Sequence, residues 1–360
     1  MSTYQRLLLD PKSEDALSKY EMPDDLGFGK TILPIMAIAE YKNGSWGAAK
    51  LQPYGPLNLD PAARVLHYGQ AIFEGMKAYN NEGKIALFRP EENHKRFNRS
   101  AERMAMPDIP FETFMNAIDS LCSYSEKFIP AGEGESLYLR PFMIASEAGL
   151  GLAAANEYLY MVVASPSGGY FAADKVNVLI ERSACRAAPG GTGYAKAAGN
   201  YGGSIQAGNK AIKLGFQQTM WLDAVEKKYV EELSGMNIFA VVNNKIYTPK
   251  LTDSILEGIT RDSVIKLARH KGYELEECTL DINWLVEKIK SEECSEIFAV
   301  GTAAVVTPLS SLGEADGTIY KIKEDFGPVA KLIKDNLVGI QRQSIEDPFS
   351  WVYEIGTNFS

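Results

Sequence analysis

Residues 191–204, GTGYAKAAGNYGGS, set a single lysine, Lys196, among glycines and alanines, with Tyr194 and Tyr201 on either side. Glycine-rich backbone around a lysine can cradle a phosphate or present a reactive amine. A phosphate loop needs GxxxxGK followed by Ser or Thr, between a strand and a helix. Here alanine follows Lys196, and no glycine directly precedes it. The dinucleotide pattern GxGxxG fails too, because in GTGYAK the lysine stands where the third glycine belongs. A reactive amine remains. A free lysine, with a pKa of about 10.4, is protonated and not nucleophilic at neutral pH. Burial among small apolar residues, or a nearby cation, lowers that value and frees the lone pair. The alternative is a solvated lysine on a flexible loop, which for this segment alone is the commoner case.

The elements that must position this segment can be read from periodicity. TILPIMAIAEY, the Asn43-Gly44 turn signal and WGAAKLQP predict a hairpin over 31–53. Phe97, Ala101 and Met104 share one face of a helix over 91–105, stopped by Pro107 and Pro110. A second helical stretch covers 112–129, and strands cover 136–146 and 158–165. This half mixes hairpins, helices and strands without a βαβ rhythm, which predicts an α+β layered domain over 1–166. PSGGYFAADK lacks periodicity and predicts an interdomain linker over 167–175. A second domain, 176–360, opens with a strand at 176–180. In the helix after the lysine segment, Ile205, Gly208 and Ile212 share a face, Lys210 and Lys213 lie in the last turn, and Gly215 is the stop. Further along come a hairpin at 237–249 and an amphipathic helix over 258–272 with Val264, Ile265 and Ala268 inward and Gly272 ending it. A strand over 296–303 and a late helix marked by Val329, Leu332, Ile333, Leu337 and Ile340 follow.

The 360 residues exceed what one hydrophobic core usually spans, so two domains are the expectation. A net charge of −9 with no long basic run gives no electrostatic case for nucleic acid or an anionic membrane. Cys122, Cys185, Cys278 and Cys294 match neither a zinc site nor a CxxC pair, so no metal is expected. They fit reduced thiols in a cytoplasmic protein. The N-terminus has no signal-peptide pattern, and no apolar run approaches the 18 or so residues of a membrane span.

Seven segments then give the lysine a context: LHYGQAIFEGMKAY (66–79), LFRPEENHKRFNRSAERM (87–104), SLYLRPFMIASE (136–147), GNYGGS (199–204), EELSGMNIF (231–239), ILEGITRDSVIKLA (255–268) and VGTAAVVTPL (300–309). In this order and spacing they resemble the branched-chain amino acid aminotransferases of pyridoxal-phosphate fold type IV, from about residue 26 to the C-terminus. The resemblance implies a small N-terminal α/β sandwich-like domain and a larger C-terminal pseudo-barrel domain, with pyridoxal 5'-phosphate between them, and a homodimer. It implies transamination of L-leucine, L-isoleucine and L-valine with 2-oxoglutarate, giving branched-chain 2-oxo acids and L-glutamate.

Under that resemblance Lys196 is the Schiff-base lysine and proton shuttle. Glu232, chosen over its neighbour Glu231 by its offset from SGMNIF, faces the pyridine nitrogen and keeps it protonated. Tyr201 meets the ring oxygen. The phosphate falls to Arg96, to Thr302, and to Ile259 and Thr260 at a helix N-terminus, where backbone N–H groups and the dipole favour an anion. Arg89 and Arg99 read as structural or surface residues. Phe28, Tyr68, Phe73, Tyr138, Leu152 and Tyr170 line the substrate pocket, Leu152 reaching in from the other subunit. Arg140 takes the side-chain carboxylate of glutamate or 2-oxoglutarate, and Gly235 and Ala303 leave room for the α-carboxylate. Two positions depart from family members. Ala304 and Thr307 stand where some mitochondrial members have a CxxC pair, so no thiol switch is expected. Gly235 replaces a threonine found in some members. A D-amino acid aminotransferase and an aminodeoxychorismate lyase use the same scaffold. The first and third segments match the branched-chain subgroup instead.

Overall fold

The computed structural model describes residues 6–169 and 176–356. The chain divides into two compact units. The first comprises residues 1–170, Lys196–Ala198 and Gly339–Ser360; the second comprises Phe171–Ala195 and Gly199–Val338.

In the first unit the chain runs α1 (Pro11–Ser18), β1 (Ile35–Lys42), β2 (Ser45–Trp46), β3 (Lys50–Pro53), α2 (Arg64–Tyr68), β4 (Ala71–Phe73), β5 (Met76–Asn81) and β6 (Lys84–Phe88). It continues through α3 (Pro90–Arg103), α4 (Phe111–Tyr124), β7 (Ser136–Ala145) and β8 (Tyr158–Ser167). Asn43 and Gly44 both take positive φ, 54° and 80°, as a tight hairpin turn between β1 and β2 requires. Pro90 opens α3, where its missing N–H costs nothing, and Glu91 and Glu92 complement the dipole. Phe97 and Ala101 on its inner face are fully buried, and the Phe97, Phe114 and Tyr160 rings meet at 5.7–5.8 Å. β7 alternates strictly: Leu137, Leu139, Met143 and Ala145 enter the core, while Tyr138, Arg140 and Phe142 share the opposite, half-buried face. That period of two is what presents Tyr138 and Arg140 together.

With β19 (Val352–Ile355) from near the end of the chain, this unit holds among the described residues a nine-stranded sheet, ordered β19-β6-β5-β7-β8-β1-β2, with β3 on β1 and β4 on β7. Strand β19 pairs antiparallel with β6, from Val352↔Phe88 to Ile355↔Ile85. The tail of the chain therefore joins the first unit's sheet, not the second domain in which a contiguous reading of 176–360 puts it. Backbone pairing between segments so far apart in the chain leaves no local trace in the sequence. The expected linker 167–175 starts inside β8, and residues 170–175, Tyr170 included, lie outside the described residues.

The second unit runs β9 (Asn177–Glu181), α5 (Ala198–Gly202), α6 (Ile205–Lys213), β10 (Gln218–Leu222), β11 (Val230–Leu233), β12 (Asn237–Val242) and β13 (Lys245–Pro249). Then come α7 (Ile259–His270), β14 (Leu275–Cys278), α8 (Ile282–Lys290), β15 (Cys294–Gly301), β16 (Val305–Pro308), β17 (Ser311–Gly313), β18 (Ile319–Lys321) and α9 (Pro328–Gln341). Two five-stranded sheets form, β11-β10-β9-β17-β18 and β14-β13-β12-β15-β16. Val178, Met220 and Leu312 of one sheet share a core with Ile238, Ala240 and Ala299 of the other. Gly215 (φ 87°) and Gly272 (φ 82°) follow α6 and α7 in the left-handed conformation expected of helix stops. The face that Ile205 and Ile212 share on α6 is turned to solvent. Ile205 and Ile212 are 62% and 67% exposed, and the buried residues of α6 are Ala207 and Ala211. The helix packs on β9 and β10, where small side chains permit close approach. No helix among the described residues is long and apolar enough to cross a membrane.

Candidate active site

In the first unit Lys196 is held by its backbone. Its N–H donates to Ser100 Oγ at 2.9 Å, and its carbonyl accepts from the Phe73 N–H at 3.1 Å. Ala197 bridges Ile72, so the lysine segment is laid along β4. Ser100 in turn donates to the Arg96 carbonyl, which joins the lysine to α3. The half-buried amine lies 4.6 Å from the centre of the Phe73 ring. This is a positioned lysine, not a solvated one on a flexible loop.

Beside Phe73 stands Glu74, fully buried. It accepts from Arg96 Nε at 2.7 Å and from a second Arg96 nitrogen at 2.9 Å, and Asn93 donates to it at 2.7 Å. Burial alone pushes the Glu74 carboxyl up. The charge and hydrogen bonds of Arg96, the charge of Lys196 and the Asn93 bond outweigh it, so the net movement is down. Arg96, the expected phosphate arginine, is thus built into the same cluster as the lysine through a carboxylate the sequence reading did not single out. The signal was present: Glu74 lies inside the quoted segment LHYGQAIFEGMKAY.

The aromatic residues expected around a substrate gather on β7 and its neighbours. The Phe28 and Tyr138 rings are 4.9 Å apart. Arg140 lies over the Phe73 ring at 4.7 Å and donates to the Tyr138 hydroxyl at 3.1 Å, while its buried Nε has no hydrogen-bond partner among the described residues. Gly75 is required here, because a Cβ would overlap the Tyr138 hydroxyl. Lys77, opposite Tyr138 in register, is also buried, and burial followed by the Arg342 charge brings its amine down to about 8. Tyr68 is 40% exposed, and its hydroxyl donates to the Leu150 carbonyl. Leu152 is 85% exposed on the same loop. Arg89 is structural: its N–H donates to the Trp351 carbonyl and its guanidinium stacks on that indole.

In the second unit, Glu232 on β11 is buried. Arg186 Nε lies 2.6 Å from Glu232 Oε1, and the Leu256 N–H donates to Oε2 at 3.0 Å. Glu231 points to the other face of the strand, where the Ser254 hydroxyl donates to it and burial pushes its carboxyl up. The two acidic neighbours are therefore distinct: one is paired with a guanidinium, the other with a hydroxyl. Asn237 Nδ2 donates to the Leu256 carbonyl, tying the segment before α7 to β12. α7 begins at Ile259 and Thr260 with Gly258 as N-cap and no capping side chain, and a Cβ at Gly258 would strike the Asn237 amide oxygen. Gly235, φ 81°, makes the turn from β11 to β12. Asn237 pairs with Val300, so this turn meets the one after β15 that carries Thr302 and Ala303. Tyr201 is half-buried in α5, and Asn200 beside it donates to the Thr192 and Ala195 carbonyls, bracing the lysine segment.

Taken by chemistry, the groups suit pyridoxal phosphate: the first unit has an amine for its aldehyde, and the second has a buried carboxylate for its ring nitrogen and a helix N-terminus for its phosphate. Among the described residues no group of His, Cys, Asp and Glu could hold a metal.

Residues 71–312 match the family model for amino-transferase class IV. A probable branched-chain-amino-acid aminotransferase of Streptomyces coelicolor is 46% identical over 334 residues, covering 91% of this chain and 92% of that one. The crystal structure of the Escherichia coli branched-chain amino acid aminotransferase superimposes with a TM-score of 0.73 at 29% identity, covering 88% and 99% of the two chains. That of a T.th. branched-chain amino acid aminotransferase complexed with N-(5'-phosphopyridoxyl)-L-glutamate gives 0.70 at 29% identity, covering 88% and 97%.

Proposed function

The chain belongs to the class IV aminotransferases, has their two-domain fold, and transaminates branched-chain amino acids; from that premise we propose the cofactor, the partners and the residue roles. The cofactor is pyridoxal 5'-phosphate. The amino donors are L-leucine, L-isoleucine and L-valine, and 2-oxoglutarate is the acceptor, giving branched-chain 2-oxo acids and L-glutamate. The observation that carries the substrate assignment is the Phe28, Phe73 and Tyr138 box with the Arg140 guanidinium stacked on Phe73 and bonded to the Tyr138 hydroxyl. Aromatic walls take an aliphatic side chain, and the guanidinium takes the second carboxylate of glutamate. The phosphopyridoxyl-glutamate bound by the T.th. protein supports the same pairing of cofactor and amino acid.

When bound, the cofactor supplies an aldehyde carbon to carry the amino group and a ring to draw electrons from the reacting carbon. Lys196 would hold that aldehyde and, once freed by the incoming amine, would serve as the base and acid that moves a proton between the substrate Cα and the cofactor's C4′. Glu232 keeps the ring nitrogen protonated. Tyr201 donates to the ring oxygen. Arg96, the Thr302 hydroxyl and the backbone N–H groups of Ile259 and Thr260 hold the phosphate. Gly235 and Ala303 make room for the α-carboxylate, and Tyr68 completes the pocket wall. Leu152 stands 85% exposed on a loop whose carbonyls are bonded by Arg64 and Tyr68, and we assign it to the site of a second copy in a homodimer.

The test is a coupled assay with 2-oxoglutarate. The wild type turns over L-leucine and leaves D-alanine and aminodeoxychorismate untouched, while Lys196→Ala loses both turnover and the cofactor's visible band. Turnover of leucine by Lys196→Ala would sink the assignment of the lysine. Preference for D-alanine or aminodeoxychorismate would move the chain to another branch of the class.

A further inference from the structure

We propose that Arg186 is a positioning residue for the reaction: it holds Glu232 ionised, so that the proton this carboxylate shares with the cofactor's ring nitrogen stays on the nitrogen. The inference rests on the reading of the protein as a pyridoxal-phosphate aminotransferase. Arg186 belongs to none of the seven segments that carry the resemblance. Its Nε lies 2.6 Å from Glu232 Oε1, and the two side chains are 5% and 3% exposed. A terminal nitrogen of the same guanidinium donates to the Gly193 carbonyl at 2.8 Å and to the Ser254 carbonyl at 2.7 Å. Those neutral acceptors fix the guanidinium without competing for its charge. Arg186 also acts on Glu231, next along the strand. The Leu256 N–H fixes the other oxygen of Glu232, so the carboxylate is aimed from both sides.

The physical need is specific. A buried carboxylate facing a basic ring nitrogen can relax to a neutral pair, with the proton on oxygen, because burial penalises both charged forms. The ring then loses the positive charge that makes it an electron sink. Arginine does not deprotonate, so a guanidinium ion-paired with the same carboxylate lowers its basicity and returns the proton to the nitrogen. Nothing is oxidised or reduced, and the only variable is where one proton resides.

The experiment loads the protein with pyridoxal phosphate labelled at the ring nitrogen and reads that atom by nitrogen NMR. Glu232→Gln marks the unprotonated position. Arg186→Gln keeps a donor for the Gly193 and Ser254 carbonyls and loses the charge, and its resonance is expected to move from the wild-type toward the unprotonated position. Its kcat for leucine is expected to fall roughly 10- to 100-fold, as when the outer partner of a reactive group is removed, with KM within about threefold. Arg186→Lys keeps a cation and is expected to hold the wild-type resonance. A folded, loaded Arg186→Gln with the wild-type resonance overturns the proposal. An Arg186→Lys protein shifted as far as Glu232→Gln also overturns it, and that variant decides the matter if Arg186→Gln does not fold. A wild type that takes up no pyridoxal phosphate overturns the functional reading itself, and the proposal with it.

Discussion

Glu74→Gln is the substitution whose consequence can be worked furthest. The wild-type carboxylate is fully buried and takes two bonds from Arg96, which is 5% exposed, and one from Asn93. Glutamine removes the charge and puts an NH₂ group where at least one donor already points. Arg96 is then a buried cation without its carboxylate, and breaking such a pair from one side costs about 3–5 kcal/mol. For a unit of this size, at about 2–4 °C per kcal/mol, the melting temperature should fall by roughly 6–20 °C. The effect has a pH signature. The Glu74 carboxyl is held below its ordinary value, so its contribution is fully present above about pH 4.3 and is lost as the pH falls through the folded value. Wild-type and variant melting curves should therefore converge in acid. Added inorganic phosphate should raise the variant's melting temperature more than the wild type's, because it supplies the missing counter-charge to Arg96. Thermal melts by circular dichroism across pH, with and without phosphate, measure all three. A variant that melts within about 2 °C of the wild type at neutral pH would refute the reasoning, since that shift corresponds to under about 1 kcal/mol.

Two further substitutions test other parts of the molecule. Burial pushes the Asp119 carboxyl up to about 7 against the hydrogen bond from Tyr353. A raised carboxyl contributes stability that is full below its unfolded value of about 3.9 and is lost as pH rises through 7, at most about 4 kcal/mol. Asp119→Asn should flatten that decline in urea midpoints between about pH 4 and pH 8, and an unchanged slope would exclude Asp119 as its source. Gly193→Ala would put a Cβ 2.5 Å from Ser254 Cα and 2.6 Å from Ala187 Cβ. It should cost about 1–3 kcal/mol and weaken pyridoxal phosphate binding by displacing the carbonyl that Arg186 grips. Wild-type affinity in a cofactor titration would contradict that linkage.

Local features of the chain were legible because local physics produces them. Asn43-Gly44 makes its turn, Gly272 follows its helix as the stop, and the alternation in SLYLRPFMIA puts Tyr138 and Arg140 on one face. Which face of α6 is buried was not legible: the helix packs closely on strands, buries its alanines and leaves two isoleucines in water.

Spacing alone excluded a phosphate loop around Lys196, and the resemblance carried by the ordered segments is what singled out the lysine and preferred Glu232 to Glu231. What the lysine and the carboxylate touch was decided by tertiary structure. Ser100, 96 residues before Lys196, receives its N–H; Arg186, on a separate segment from Glu232, takes its charge; and Glu74 binds Arg96 from outside its helix. A lone arginine or glutamate carries no pattern of its own in a sequence. Its partner is fixed only when distant segments bury both, and burial is what makes leaving either one unpaired costly.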